Sequence, residues 1–165
     1  MTQMASPSTA ATRMLKEHGA VYTEHPYRYE ERGGTRVSAR ELGVDEHAVV
    51  KTLVMQDEQA RPLVVLMHGD CEVSTKALAR QIGVKTVTIC VPDVANRHSG
   101  YQVGGTSPFG LRKPMPIYVE RGILALPRIY INGGAKGFLV GIEAAELTRV
   151  LAAAAVDVAI RAYST

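Results

Sequence analysis

The sequence lacks any apolar run near the roughly 18 residues that a membrane-crossing helix requires, so no spanning segment is expected. Met1 to Thr9 is small and polar, with no apolar stretch of signal-peptide length behind a basic start. Export is not indicated, and these nine residues are expected to form a flexible tail. Only two cysteines occur, Cys71 and Cys90, which is too few for a disulfide framework or a thiolate metal site. They read as small core residues in a reducing compartment, the cytoplasm. The five histidines have no close ligand spacing, and neither His-Glu-x-x-His nor Cys-x-x-Cys occurs. No metal or other cofactor is therefore expected. The Gly-x-Ser-x-Gly elbow of serine hydrolases is missing, and Ser107 has no His and Asp partners placed by sequence. No Gly-Lys-Ser/Thr follows a glycine loop, and no dinucleotide glycine spacing occurs, which excludes the common nucleotide-binding motifs.

The 165 residues, 46% apolar and 21% charged, are expected to fold as a single domain over residues 10–165. A net charge of +3 permits a polyanionic partner without requiring one. A first helix is predicted over Ala10 to His18, capped by Thr9 or Ser8, and then a short strand from Val21 to His25 leading to Tyr27 and Tyr29. Thr35 is placed as the cap of a helix ending at Leu42, and Val49 to Met55 reads as a strand apolar on both faces. Lys51 interrupts that strand. A lysine there must snorkel to an open edge, meet a carboxylate or point into a polar cavity, because an isolated buried ammonium is very costly. A hairpin follows to His68, then a helix from Ser74 to Ile82, a strand from Val84 to Cys90 and a short helix begun by Pro92.

The most distinctive stretch is Gly104-Gly105-Thr106-Ser107-Pro108-Phe109-Gly110, a stiff loop expected to offer bare backbone N–H groups. Strands are predicted at Met115 to Glu120, Arg128 to Asn132 and Phe138 to Ile142, with Ile123 to Leu126 as a connection. The last two strands are joined by the second glycine turn, Gly133 to Gly137. A final helix covers Glu143 to Leu151, and Val156 to Ile160 either extends it or forms a strand. A lysine and two glycine loops can polarise an ester carbonyl and stabilise its oxyanion without a protein nucleophile.

Val50-Lys51-Thr52-Leu53, Gly100-Tyr101 with Gly104 to Gly110, and Ile131-Asn132-Gly133-Gly134 with Gly137 resemble the motifs of the YbaK-type aminoacyl-tRNA deacylases. These are free-standing relatives of the editing domain of bacterial prolyl-tRNA synthetases. The resemblance implies an α+β fold with a mixed, curved, partly barrel-like sheet flanked by helices. It also implies trans-editing of mischarged tRNA, with cysteine on tRNA(Pro) as the substrate, by hydrolase or lyase cleavage assisted by the substrate thiol. Lys51 matches the family's essential lysine. Tyr27, Thr52, Gly104, Gly105, Ser107, Pro108, Asn132 and Gly133 fall at its substrate-binding positions. Mischarged tRNA and prolyl-tRNA synthetase are the implied partners. Gly34, Asn132 and Leu139 depart from the family pattern, which leaves amino-acid choice open, and a non-catalytic acceptor-stem or nucleotide-binding module is the alternative.

Overall fold

A computed structural model describes residues 5–161 of the chain. In order, the elements are α1 (Ala10–Glu17), β1 (Tyr22–Pro26), α2 (Gly34–Leu42), a 3-10 turn (Glu46–Ala48), β2 (Val49–Asp57), β3 (Pro62–His68) and β4 (Cys71–Val73). Then come α3 (Thr75–Ile82), β5 (Val87–Ile89), α4 (Pro92–Ser99), β6 (Ile117–Glu120), α5 (Arg121–Leu124), β7 (Arg128–Ala135), β8 (Phe138–Glu143), α6 (Ala145–Leu151), β9 (Ala154–Val156) and β10 (Ala159–Arg161). None of these helices is long and apolar enough to cross a membrane among the described residues.

Side-chain capping explains several helix starts. The Thr9 hydroxyl accepts from the Thr12 N–H, and the Thr12 hydroxyl receives the Thr9 N–H in return, a reciprocal box that begins α1. Thr9 also donates to the Gly133 carbonyl, so the last residue of the expected tail is pinned to the domain. Residues 1–4 of that tail lie outside the described residues. Ser74 caps α3 as its position suggests. Thr35 does not cap α2: the helix starts one residue earlier, and the Thr35 hydroxyl donates to Glu46 at 2.8 Å, tying α2 to the 3-10 turn. The strand expected over Val84 to Cys90 is confined to Val87–Ile89, because Val84 is held at the end of α3 by the Ala79 carbonyl. Arg121 to Leu124 is a helical turn instead of a plain connection. The ambiguous C-terminal stretch resolves into two strands, β9 and β10.

The main sheet runs β1-β8-β7-β2-β3-β6-β9, with β5 also paired to β2, while β4 and β10 form a separate ribbon. The pairs β2–β7, β3–β6 and β6–β9 are parallel and the others antiparallel, the mixed α+β architecture expected. Val50 and Val54 face a core with Leu66, Phe109, Ile131 and Phe138. Met55 faces a second core with Leu63, Val65, Met67 and Leu78.

The edge of β2 is shared in an unusual way. β7 pairs with it only at Val49 and Val50, and β5 only from Met55 onward, with the Cys90 N–H donating to the Val54 carbonyl. β7 carries an irregularity between Asn132 and Ala135, a bulge of the kind that bends a strand away from its neighbour. Lys51 to Leu53 consequently border a seam in the sheet, with no strand on that side among the described residues.

The long loop after α4 closes on itself over this region. The Tyr101 hydroxyl donates to the Phe109 carbonyl at 2.6 Å, and the Ser107 hydroxyl accepts the Phe109 N–H. Burial pushes the Tyr101 phenol up to about 12. Tyr101→Phe leaves that carbonyl unpaired and is expected to cost about 1–2 kcal/mol in denaturant unfolding. Because the folded-state value lies above the unfolded one, the contribution is complete below about pH 10 and is lost as pH rises through about 12. Ultraviolet titration of the variant should lose the phenol that ionises last.

Candidate active site at the sheet seam

A cavity of about 750 Å³ opens at the seam. Its floor is β2; Tyr27, Tyr29 to Arg32 and the start of α2 form one wall, and the β5–α4 junction with Val103, Gly104 and Thr106 forms the other. Of the residues marked in the sequence, Tyr27, Lys51, Thr52, Gly104 and Asn132 line it. Gly105, Ser107, Pro108 and Gly133 are not among its lining residues; they are buried.

Lys51 takes the cavity alternative. It has no carboxylate partner among the described residues, so its ammonium remains available to a ligand. Beside it, the Thr52 hydroxyl is a buried polar atom with no hydrogen-bond partner. Such atoms are rare in folded proteins; this one is closed off from solvent, although Thr52 itself lines the cavity. Backbone groups of alternate strand residues point to the same edge. Since the Val54 carbonyl meets Cys90 across that edge, the Thr52 N–H and carbonyl also face the seam.

Tyr27 extends the line of β1, its N–H donating to the Gly137 carbonyl at 2.8 Å. Burial, with Tyr29 adding to it, pushes its phenol up, so it is a protonated donor at neutral pH. Tyr29 lies two residues on and lines the same cavity under Lys136, whose Nζ is 5.4 Å from the ring centroid. Its period-two spacing from Tyr27 is the sequence signal for this shared placement.

The glycine loop is only partly the donor array expected. The Gly105 N–H is already given to the Gln102 carbonyl at 2.8 Å. A Cβ on Gly105 would sit 2.8 Å from the Lys136 nitrogen, so this glycine allows the loop to lie against the β7–β8 turn. Ser107 is fully buried, and Gly133 lies under the Phe138 ring. Gly104 is the glycine of that loop that faces the cavity, at φ +98°, and its N–H has no protein partner among the described residues. Asn132 pins the two loops together. Its Oδ1 accepts the Gly134 and Ala135 N–H groups, and its Nδ2 donates to the Ala135 and Gly104 carbonyls at 3.1 and 3.3 Å. Its amide thereby holds Gly104 in place while the residue lines the cavity.

Much of the remaining wall is apolar, with Val50, Val54, Cys90 and Ala95 inside and Ile89, Val91 and Val103 exposed at the mouth. Nothing in the sequence marks Cys90, Val91 or Pro92, because their place depends on β5 pairing with β2. Burial pushes the Cys90 thiol up, so it is held as a thiol and not as a nucleophilic thiolate. No histidine lines the cavity, and the Glu30 and Glu31 carboxylates are engaged by Arg40 and Lys136. The structure also gathers His47, Asp70 and Cys71, residues without a common motif, but this group is not part of the cavity lining. The site therefore offers the Lys51 ammonium and the Arg32 guanidinium, the Tyr27 and Tyr29 phenols, the Gly104 N–H and the Thr52 hydroxyl around an apolar well.

A family model described as the aminoacyl-tRNA editing domain matches residues 32–150, which include the seam and both glycine loops. The chain belongs to this family. The editing domain is 30% identical over 130 residues to EbsC of Enterococcus faecalis, provisionally named a Cys-tRNA(Pro)/Cys-tRNA(Cys) deacylase, covering 78% of this chain and 79% of that protein. It is 33% identical over 70 residues to the proline–tRNA ligase of Syntrophotalea carbinolica, spanning 42% of this chain and 12% of the ligase. Its fold matches a crystal structure provisionally described as a trans-editing enzyme for prolyl tRNA synthetase, with a TM-score of 0.79 and 23% identity, covering 93% of this chain and 98% of that one. The family read from the three sequence motifs is thus the family to which the chain belongs.

Proposed function

We propose that this editing domain acts in trans to remove cysteine mischarged on tRNA(Pro), by cleaving the aminoacyl ester. The observation that carries the reading is the seam cavity itself, where Lys51 lines an apolar well with no histidine and no activated protein nucleophile among the lining residues. The substrate thiol supplies the attack. Its sulfur bonds to the ester carbonyl carbon, the carbon–oxygen bond to the ribose breaks, and the thiol proton ends on the released ribose hydroxyl. Lys51 is the proposed catalytic residue, its ammonium countering charge on the ester or the leaving ribose oxygen. The Gly104 N–H and the Tyr27 phenol are placed to donate to the developing oxyanion, and Thr52 to hydrogen-bond the aminoacyl group. Asn132, Gly105, Ser107, Pro108 and Gly133 act by fixing the two loops.

Prolyl-tRNA synthetase is the proposed transient partner, since nothing in the cavity distinguishes one tRNA body from another. The test is a deacylation panel of Cys-, Ala- and Ser-tRNA(Pro), with and without the synthetase. Cys-tRNA(Pro) should be cleared fastest. If all three stay charged, the editing reading is wrong; tight binding in that case would make the chain an acceptor-end binding module.

A further inference from the structure

The far end of α4 carries a group of basic side chains that the cavity does not use. Arg97 and His98 lie in its last turn, and Gly100 closes the helix at φ +82°. The chain returns across this end: the Arg112 N–H donates to the Ser99 carbonyl at 2.9 Å, and the Lys113 N–H to the His98 carbonyl at 3.2 Å. Arg112 lies directly over Gly100, where an added Cβ would be 3.0 Å from its own Cβ. Arg97, Arg112 and Lys113 are exposed and form no ion pair among the described residues. The one acid of α4, Asp93, is in the first turn, at the opposite end. Arg97 and Lys113 are close enough to His98 to add to the effect of burial in lowering its proton affinity.

One or two cations suffice to complement a helix C-terminus, for about 0.3–1 kcal/mol. Here the return strand holds two more at the same place with no acid between them. Such mutual repulsion is relieved when a polyanion binds. The group is also connected to the cavity. Asn96, beside Arg97, accepts the Val103 N–H at 3.0 Å, and Val103 forms the cavity mouth, while Pro92 and Ala95 of the same helix line the cavity. Eight residues of helix span about 12 Å, the run of three to four phosphates on one strand.

We propose that this basic strap, Arg97, Arg112 and Lys113, is the track along which the phosphate backbone of the tRNA acceptor end leaves the cavity. The inference rests on the editing reading for the direction of the strand, and its test separates the two.

The double variant Arg112→Ala/Lys113→Ala is compared with the wild type in three measurements. These are the KM for Cys-tRNA(Pro), the affinity for uncharged tRNA by anisotropy across a salt series, and cleavage of the cysteinyl ester of adenosine. The expected result is a 10- to 100-fold weaker tRNA interaction and a log–log salt slope smaller by about 1.4, with cleavage of the small ester unchanged. Arg112→Lys/Lys113→Arg should restore affinity, because phosphate contacts here need charge and not a fork. An unchanged affinity and slope overturns the proposal, as does an equal loss on both substrates, which would mark a structural role. If the wild type cleaves neither substrate yet binds tRNA with a slope that drops in the variant, the editing reading fails and the strap stands. If both substrates are cleaved and the variant binds tRNA normally, the reverse holds.

Discussion

Lys51→Ala is expected to reduce deacylation of Cys-tRNA(Pro) by at least about 100-fold, the scale on which a single oxyanion-stabilising group acts. The isosteric Lys51→Met should do the same, since the cavity loses the charge in both. Stability should hardly change. The ammonium has no protein partner among the described residues, so neither substitution leaves a buried carboxylate unpaired. A change within about 0.5 kcal/mol corresponds to no more than about 2 °C in Tm for a domain of this size. Single-turnover deacylation and a thermal melt measure the two quantities side by side. Full activity in either variant would remove Lys51 from the chemistry.

Gly104→Ala should lower kcat/KM by about 30- to 100-fold, through geometry and not through charge, as expected when a reacting group is misplaced by about 1 Å. At φ +98° the backbone occupies a region that an L-residue enters at a cost of about 1–3 kcal/mol. The new Cβ would also stand 2.8 Å from the Tyr29 hydroxyl, on the cavity wall. The strained backbone or the Tyr29 side chain must shift, displacing the Gly104 N–H, which has no protein partner among the described residues. Phe109 remains anchored in the core, so the domain should still fold. Gly105→Ala gives the contrast: its Cβ meets backbone, 2.8 Å from the Lys136 nitrogen and 2.9 Å from the Ala135 carbonyl carbon, and no side chain can swing aside. That variant should lose about 1–3 kcal/mol of stability. Urea unfolding with steady-state kinetics distinguishes them, and normal activity in Gly104→Ala would show that the loop does not position the ester.

Local chemistry made most of the elements legible. Ser74, Pro92, Gly43, Gly83 and Gly100 act at helix ends where their residue types suggest, and the alternating apolar faces of β2 feed two separate cores. Lys51 was conspicuous because a charge in a two-sided apolar strand demands an explanation. The seam was not legible. It depends on how far β7 and β5 pair with β2, and pairing extents are set by a bulge and by partners some 35 to 80 residues away. For the same reason the sequence does not show that Asn132, which lines the cavity, also joins the two loops through its amide. Glycine content identified the two loops, but not that Gly105 and Gly133 serve close packing while Gly104 serves the cavity.

A chamber set in a break between strands has a consequence for how such domains diversify. Gly34, Val91 and Val103 border the cavity and are exposed, and none takes part in the strand ladder. Exchanges there can reshape the space offered to an amino acid while the pairing that holds the domain together is untouched. Selection for a new substrate would then draw little on the small margin of stability that proteins possess, and related chambers can drift in specificity without first passing through unfolded intermediates.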